Sequence, residues 1–211
     1  MTIPTIDVID ELTGLAPGDP IDALRRRRPV TRDQLQASFD ALFAPVDDRD
    51  FPLVERALVA AFATRLTADD ETAEFYAFRA RAADAARTET VLAEASAAAT
   101  AGPFGAYAEA GLQPENADGR RYEPGIRTRD VLGERLASAL AHAHLLTYRP
   151  RESDAAALDR LLEAGWSVDG IVTLSQLVSF LAFEQRVAAG LRVLATSAGP
   201  TPTHDDQEVS A

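Results

Sequence analysis

The stretch GWSVDGIVTLSQLVSFLAFEQRVAAGLRVL, residues 165–194, decides the fold. Residues 168–181 are apolar on nearly every side of a predicted helix, and Glu184, Gln185 and Arg186 follow together. A helix that is apolar all round is buried in a protein core or in lipid. Charged side chains inside such a helix need partners, because an unpaired buried charge is costly. The pattern therefore predicts the central helix of the protein, with a candidate polar pocket beside it.

The composition of the chain predicts an all-α fold class. Of the 211 residues, 46% are apolar, only 7% are aromatic, and alanine is the commonest apolar residue. Alanine is the best helix former, and runs of the β-branched residues that favour strands are scarce. No segment alternates convincingly between apolar and polar residues, so no strand is predicted.

Charge and targeting signals exclude several classes of partner. The net charge is −12, which disfavours nucleic acids and anionic membrane surfaces as partners. One basic run, residues 25–28, is interpreted as a solvated turn or as a contact with an acidic subunit surface. The acidic N-terminus does not resemble a signal peptide, and no uncharged apolar stretch reaches the ~20 residues of a membrane span. These features favour a cytoplasmic protein with no membrane partner.

The chain contains no cysteine. This absence excludes disulfide bonds, thiolate metal sites and catalysis by a thiol.

The chain divides into an arm, a helical domain and a tail. Residues 1–30 are predicted to form an irregular N-terminal arm, in which residues 21–28 make a short helix, and residues 31–195 the helical domain. The polar residues 196–211 have no core-forming pattern and are predicted to be disordered. Within the domain, residues 102–127 are rich in glycine and proline and predict a long loop. This loop is either a lid that covers a pocket with Phe104, Tyr107 and Tyr122, or a surface excursion or oligomer contact.

Capping signals place the helices of the domain. Thr67 and Asp70 form a predicted capping box, which opens a helix that starts at Ala68. Gly165 predicts the C-terminus of the preceding helix, with Trp166 folding back on Leu161 in a Schellman-type ending. The predicted helices begin near residues 31, 52, 68, 89, 128, 153 and 167.

Three segments resemble one known superfamily. FPLVERALVAAFATRL, residues 51–66, resembles the helix that precedes the active site of the carboxymuconolactone decarboxylase and alkylhydroperoxidase D-like (AhpD-like) superfamily. ERLASALAHAHLLTYRP, residues 134–150, and the following residues 154–191 are similar to the second half of its peroxidase-related branch. The resemblance implies an all-α AhpD-like helical bundle that assembles as a homo-oligomer, whether dimer, trimer or hexamer. The closest similarity is to a cysteine-less branch, whose members accompany a cysteine-bearing alkylhydroperoxidase-like protein as a candidate partner.

The resemblance also assigns a candidate site. It puts Glu55 at the position of the family's proton-relay glutamate, Asp69 and Thr72 at its two cysteine positions, and Tyr76 at its histidine position. A peroxidatic cysteine works as a thiolate, and neither aspartate nor threonine can replace it. The resemblance therefore implies the scaffold of a thiol peroxidase without its disulfide-cycling activity.

Two functions remain open at this stage. The first is a non-thiol protein that binds a small molecule, or a degenerate, non-catalytic homologue that scaffolds or regulates a cysteine-bearing partner. The alternative is a non-redox acid–base enzyme, resembling a decarboxylase or isomerase, that uses Glu55 and Tyr76. A partly buried Glu55 would have a raised pKa suited to proton transfer. Against the enzyme stand an ion pair of Glu55 with an arginine, and a dipole role for Asp69 in the first turn of its helix.

The remaining polar candidates lie on two predicted helices. Glu184 and Arg186 are two positions apart and point in different directions, so each is expected to pair with another helix or subunit. His142 and His144 lie about 200° apart around a helix and cannot ligate one ion. His144 continues the stripe of Leu136 and Leu140 and is predicted to be a core residue, whereas His142 is predicted near the surface. No metal and no cofactor are predicted.

Overall fold

The computed structural model describes residues 7–16 and 18–197 of the chain. These residues form α-helices and two short 3-10 helices, Ala110–Glu115 and Pro150–Glu152, and the only β-type pairing among them is an isolated bridge between Gly105 and Ala117. The all-α prediction is therefore confirmed. The α-helices are α1 (Val8–Thr13), α2 (Pro20–Arg26), α3 (Pro29–Phe43), α4 (Leu53–Thr67), α5 (Glu71–Ala98), α6 (Ile126–Leu132), α7 (Glu134–Tyr148), α8 (Ala155–Glu163) and α9 (Val168–Ser197).

Helix α9 is the central helix that the sequence predicts. It packs against α1, α3, α4 and α7, and Leu174, Leu177 and Leu181 along it are fully buried. It is not buried on every side, because Val172 and Phe183 remain exposed. The sequence pattern alone does not distinguish a helix that is apolar all round from one with an exposed apolar edge.

Helices α4 and α5 form the most extensive helix pair of the fold. Most of α4 is buried, and its alanines, among them Ala60 and Ala61, allow the neighbouring backbone to approach closely. The helix α5 opens at Asp70, whose carboxylate accepts a hydrogen bond from the Ala73 amide at 2.9 Å. The predicted start at Ala68 is wrong, because Thr67 still belongs to α4 and donates its hydroxyl proton to Gln185 on α9.

A kink at Asp84 divides α5 into two parts. Its backbone leaves the helical region, with φ −158° and ψ 91°, and its carboxylate accepts a hydrogen bond from the Arg87 amide at 2.9 Å. An aspartate that accepts from an amide three residues later acts as an N-cap. The predicted division of this segment into two helices is confirmed, with the break at Asp84 and not between residues 87 and 89.

The segment predicted as one helix from residue 128 to 148 is two helices. Gly133 separates α6 from α7 with φ 79°, a conformation that favours glycine. The end of α8 follows its prediction, because Gly165 has φ 90° and the Trp166 amide bonds to the Leu161 carbonyl at 3.0 Å.

The N-terminal residues are more regular than predicted. Helix α1 starts after Asp7, whose carboxylate caps it, and Val8, Ile9 and Leu12 are buried against the rest of the fold. The prediction of an irregular arm is wrong for this helix, which packs on α9. Of the predicted disordered tail, residues 196 and 197 complete α9, and residues 198–211 lie outside the described residues.

The loop of residues 102–127 is tied to the helices beneath it. The Phe104 amide donates to the Tyr148 carbonyl at 2.6 Å, and the Arg149 guanidinium donates to the Gly119 carbonyl at 2.8 Å. Glu94 on α5 accepts hydrogen bonds from Tyr122 and Thr128 at 2.7 and 2.6 Å. These contacts tie the loop to α5 and to the C-terminal end of α7.

Within residues 7–16 and 18–197, no single helix has both the length and the hydropathy needed to cross a membrane. The pair α8 and α9 meets those two criteria jointly, with a bend of 118° between the helices.

Candidate functional site

The site predicted from the superfamily resemblance is not assembled in the structure. Glu55 lies in the first turn of α4, whereas Asp69 and Thr72 flank the turn between α4 and α5. The twelve residues from Glu55 to Thr67 span about 18 Å of helix. Each of the four predicted residues Glu55, Asp69, Thr72 and Tyr76 bonds a different partner, and no hydrogen bond or ion pair joins any two of them.

Glu55 is instead an ion-pair residue. Its Oε2 accepts a hydrogen bond from Arg135 Nε at 3.1 Å. The same guanidinium donates to the carbonyls of Gly165 and Asp50 at 2.8 and 2.6 Å and lies 4.0 Å from the centre of the Trp166 ring. The interpretation of Glu55 as the partner of an arginine is confirmed, and the pair holds the start of α4 to α7 and to the α8–α9 turn.

Asp69 and Thr72, the two residues that the resemblance aligns with cysteines, do not face a common pocket. The Asp69 side chain is 77% exposed and pairs with Arg65, and it precedes the first turn of α5. The predicted dipole role for Asp69 therefore belongs to its neighbour Asp70, which is the N-cap. Thr72 is buried, and its hydroxyl accepts a hydrogen bond from Arg192 at 2.9 Å.

Tyr76 and Glu184 form a polar pair inside the core. The Tyr76 hydroxyl donates to Glu184 Oε2 at 2.5 Å, and both residues have 0% relative exposure. Burial raises the pKa of Glu184 to about 7, although the Tyr76 hydrogen bond and the charge of Arg79 oppose this rise. Burial, together with the neighbouring carboxylate, also raises the pKa of Tyr76. Glu184 Oε1 has no hydrogen-bond partner, so the pair is incompletely satisfied.

The two neighbours of Glu184 on α9 have structural contacts. Gln185 is buried, and its amide donates to the Thr64 carbonyl at 3.2 Å. Arg186 is exposed and donates to the Ala182 carbonyl of its own helix at 3.0 Å. The prediction that Glu184 and Arg186 point in different directions is confirmed, and Arg186 does not reach the core.

The structure contains a cleft, and the sequence predicts only part of its lining. Its volume is about 400 Å³, and it lies between α7, α8 and the end of the long loop. Of the three aromatic residues predicted to cover a pocket, Tyr122 lines this cleft, whereas Phe104 and Tyr107 do not. The lining comprises Arg121, Tyr122, Glu123, Arg129, Glu134, Ser138, Ala141, His142, His144, Leu145, Arg149, Ala157, Arg160, Leu161, Glu163 and Ala164.

Two buried imidazoles line this cleft. His142 and His144 are 4% and 1% exposed, and the Nε2 atom of each is buried without a hydrogen-bond partner. Burial lowers the pKa of each histidine to about 4, and the charge of Arg160 adds to the effect on His142. Both rings are therefore neutral at pH 7.

The helices around α7 explain the burial of the two histidines. His144 is a core residue as predicted, with its ring centre 5.5 Å from that of Tyr122 and 5.0 Å from that of Tyr148. The prediction that His142 is near the surface is wrong, because α8 packs on α7 and Ala157 and Leu161 of α8 line the same cleft.

The charges around the cleft are mostly paired. Glu152 accepts hydrogen bonds from Arg149 and Arg121, which together hold its pKa at about 2. Arg129 pairs with Glu134 at 2.6 Å. Arg160 makes no ion pair or side-chain hydrogen bond with any residue of the described ranges. The other three arginines that line the cleft are each paired with a glutamate.

A second groove lies between α3, α8 and α9. Apolar and hydroxyl-bearing side chains, such as Leu158, Ser179 and Phe180, make up most of its lining. Its buried cation, Arg56, donates to the carbonyls of Phe51 and Leu42, both at 2.7 Å. This groove therefore presents fewer groups suited to recognition than the cleft with the two imidazoles.

Metal-ligand geometry is absent from the part of the chain that the structure describes, where no three His, Cys, Asp or Glu residues come close enough to hold one ion. Comparison of the chain with protein-family models, curated proteins and solved structures found no match. The chemistry of the cleft and of the buried pair is therefore the basis for a functional proposal.

Proposed function

We propose that the protein binds a small molecule in the cleft between α7, α8 and residues 121–123, and does so without thiol chemistry. The observation that carries this proposal is the cleft itself, whose lining includes Arg160 without an ion pair or side-chain hydrogen bond among the described residues. An unpaired guanidinium can donate hydrogen bonds to an acceptor group of a bound ligand.

The size and composition of the cleft support the same proposal. A volume of about 400 Å³ is in the range of small-molecule sites. Its apolar wall includes Leu145, Leu161 and Ala157, and its polar groups converge from α7 and α8. Such a combination of apolar surface with a few directed polar groups is typical of ligand pockets.

The acid–base enzyme that uses Glu55 and Tyr76 has less support. Glu55 is held by Arg135, and Tyr76 is sealed in the core by contacts that include Phe43 and Phe75. Neither residue lines the cleft or the second groove. A catalytic acid or base must come within hydrogen-bonding distance of its substrate, and the described cleft and groove do not bring a ligand to Glu55 or Tyr76.

The proposal uses the resemblance to AhpD-like proteins for the helical scaffold only. The α4–α5 pair and the long buried α9 are the elements that carry it, while the positions of the thiol chemistry are occupied by an ion pair and a core threonine. Under this proposal the protein is a non-thiol homologue, and its assembly as a homo-oligomer or with a cysteine-bearing partner is part of the same proposal.

A cleft-filling variant tests the proposed function. We would screen a library of small polar fragments by saturation-transfer NMR against the wild type, Ser138→Phe and Ser179→Phe. Ser138 lines the cleft, and Ser179 lines the second groove as the matched control. We expect fragments that bind the wild type and Ser179→Phe but not Ser138→Phe, with all three proteins equally helical by circular dichroism. Equal binding by a folded Ser138→Phe variant would contradict the proposal.

A further inference from the structure

Helix α9 carries an exposed stripe on the side opposite its buried leucines. Leu174, Leu177 and Leu181 are fully buried, whereas every residue of the stripe is exposed. Successive members of the stripe are 3, 4, 3, 4 and 3 positions apart, a spacing that keeps side chains on one face of a helix. The stripe comprises Asp169, Val172, Gln176, Ser179, Phe183 and Arg186.

The middle of the stripe is uncharged and partly apolar. Val172 and Phe183 are 50% and 47% exposed, and only Gln176 and Ser179 lie between them on the stripe. Protein–protein interfaces are depleted of charged residues and enriched in aromatic residues at their centre, and their rim is polar. The composition of the stripe therefore indicates a surface for a protein partner.

The two ends of the stripe carry opposite charges that have no partner within the described residues. The ion pairs of α9 in those ranges both belong to Arg192, which contacts Asp70 and Glu71. Arg186 donates to the Ala182 carbonyl of its own helix at 3.0 Å, and Asp169 forms no ion pair there. Charges at the edge of an interface are suited to pair with opposite charges of the partner.

The spacing of the stripe is symmetric about its centre, which lies at residues 177–178. A second α9 that runs antiparallel, related by a two-fold axis at this centre, therefore meets the stripe in register. In this register Asp169 faces Arg186 of the second copy, and Val172 faces Phe183 of the second copy. A parallel arrangement would bring equal charges together. The charges therefore favour an antiparallel pairing with a second copy of the chain.

We propose that two copies of the chain associate through this stripe, with their α9 helices antiparallel about a two-fold axis at residues 177–178. The inference rests on the proposed function for the homo-oligomer, whose interface it specifies, and it does not depend on a ligand in the cleft.

The groove between α3, α8 and α9 supports this pairing. Its volume is about 1020 Å³, and Val172, Gln176 and Ser179 of the stripe belong to its lining. Phe183 does not line the groove of its own chain. Phe183 of the second copy, which faces Val172, would enter the groove and lose its exposure to water.

Exchange of the two charges tests the pairing. We would measure the dissociation constant of the dimer by analytical ultracentrifugation for the wild type, Asp169→Arg, Arg186→Asp and the double variant. Each single variant should weaken association by about tenfold or more, because like charges then face each other twice, and the double variant should restore it to within about threefold. Arg127→Asp, which changes the charge of an exposed arginine on α6, should leave it unchanged.

Engineered thiols report the register directly, because the chain has no cysteine of its own. Val172→Cys mixed with tagged Phe183→Cys should give a disulfide-linked heterodimer on mild oxidation. Neither variant should link to itself, since its two copies lie about 16 Å apart along the helix axes, and a disulfide needs Cα atoms within about 7 Å. Phe78→Cys, at an exposed residue of α5, should link to neither variant.

Three results would overturn the inference. The first is a dimer whose stability does not respond to the charge exchange, and the second is self-linking of each cysteine variant without the mixed product. The third is a monomeric wild type at micromolar concentrations, including one whose stripe binds phosphatidylcholine vesicles in a flotation assay.

The two proposals can fail separately. A monomer that binds fragments in the cleft overturns this inference and leaves ligand binding intact. A dimer with the expected charge and thiol results supports the inference even when fragment binding does not depend on Ser138→Phe, the result that contradicts the proposed function.

Discussion

The hydroxyl of Tyr76 on α5 donates a 2.5 Å hydrogen bond to Glu184 on α9, and neither side chain is exposed to solvent. Arg79 is the cation whose charge lowers the pKa of Glu184. Its guanidinium lies over the rings of Phe39, Phe43 and Phe75. A buried carboxylate without an ion pair is costly when it is ionised. The pair therefore couples the stability of the fold to pH.

Replacing Glu184 with glutamine should stabilise the protein at alkaline pH relative to the wild type. Burial raises the pKa of Glu184 from 4.5 to about 7, so its contribution to stability is present below pH 4.5 and is lost as the pH rises through 7. The free energy of unfolding of Glu184→Gln, minus that of the wild type, should increase by about 2 kcal/mol from pH 5.5 to pH 8.5.

Urea denaturation of both proteins at the two pH values measures this difference. The surface variant Glu163→Gln provides the control, because Glu163 is exposed and should show no comparable change. A difference that stays constant across this pH range would show that Glu184 titrates as an ordinary carboxyl group.

Removing the Tyr76 hydroxyl should destabilise the protein and make the loss larger at high pH. Tyr76→Phe keeps the ring but deletes the hydrogen bond that lowers the pKa of Glu184. The expected cost is about 1–3 kcal/mol in the free energy of unfolding, since a buried acceptor loses its donor. Tyr107→Phe, at a half-buried loop residue whose ring stacks on Arg151, should cost less than about 0.5 kcal/mol in the same measurement. Equal losses in the two variants would contradict this account.

The helices of this fold could be predicted because their signals are local. The apolar run of α9 and the glycine ending at Gly165 each depend on neighbours within a few residues. The division at Gly133 was missed because glycine is tolerated inside helices, and only tertiary packing decides that it adopts φ 79°. Helix α1 was missed because six residues form a stable helix only when packed on α9.

The candidate site was harder to predict because its parts are distant in sequence. The sequence indicates that His144 is buried, but not that α8 buries His142 or that Arg160 faces the same cleft. The sequence predicts that Glu184 is a buried charge in need of a partner, but it does not predict that Tyr76 is that partner. Nothing local in the sequence links residues 76 and 184, which meet only through the packing of α5 and α9.

The two histidines should oppose Glu184 in the dependence of stability on pH. Burial lowers the pKa of His142 and of His144 from 6.5 to about 4, so their contribution is present above pH 6.5 and is lost as the pH falls through 4. Each should contribute about 2–3 kcal/mol across this interval. Histidine Hε1 shifts followed by NMR should titrate near pH 4 for both rings, and a midpoint near 6.5 for either would contradict its burial.

The purified protein should reduce no organic hydroperoxide at the expense of a dithiol. The chain has no cysteine and therefore cannot form the thiolate that reduces a peroxide. Consumption of cumene hydroperoxide with dithiothreitol, compared with a protein-free reaction, measures this. Turnover that persists in protein free of metal and flavin would overturn the prediction.

Arg135 should matter more to stability than its partner Glu55. The guanidinium joins Glu55, Asp50 and Gly165 and stacks on Trp166, whereas Glu55 has a single side-chain partner. Arg135→Ala should lower the free energy of unfolding by about 2–4 kcal/mol, because two backbone carbonyls lose a charged donor. Glu55→Gln should lower it by less than about 1 kcal/mol and should leave fragment binding in the cleft unchanged, as expected of an ion pair that is partly exposed to solvent. Parallel urea denaturation and fragment titration check both, and lost fragment binding in a folded Glu55→Gln variant would restore Glu55 as a functional residue.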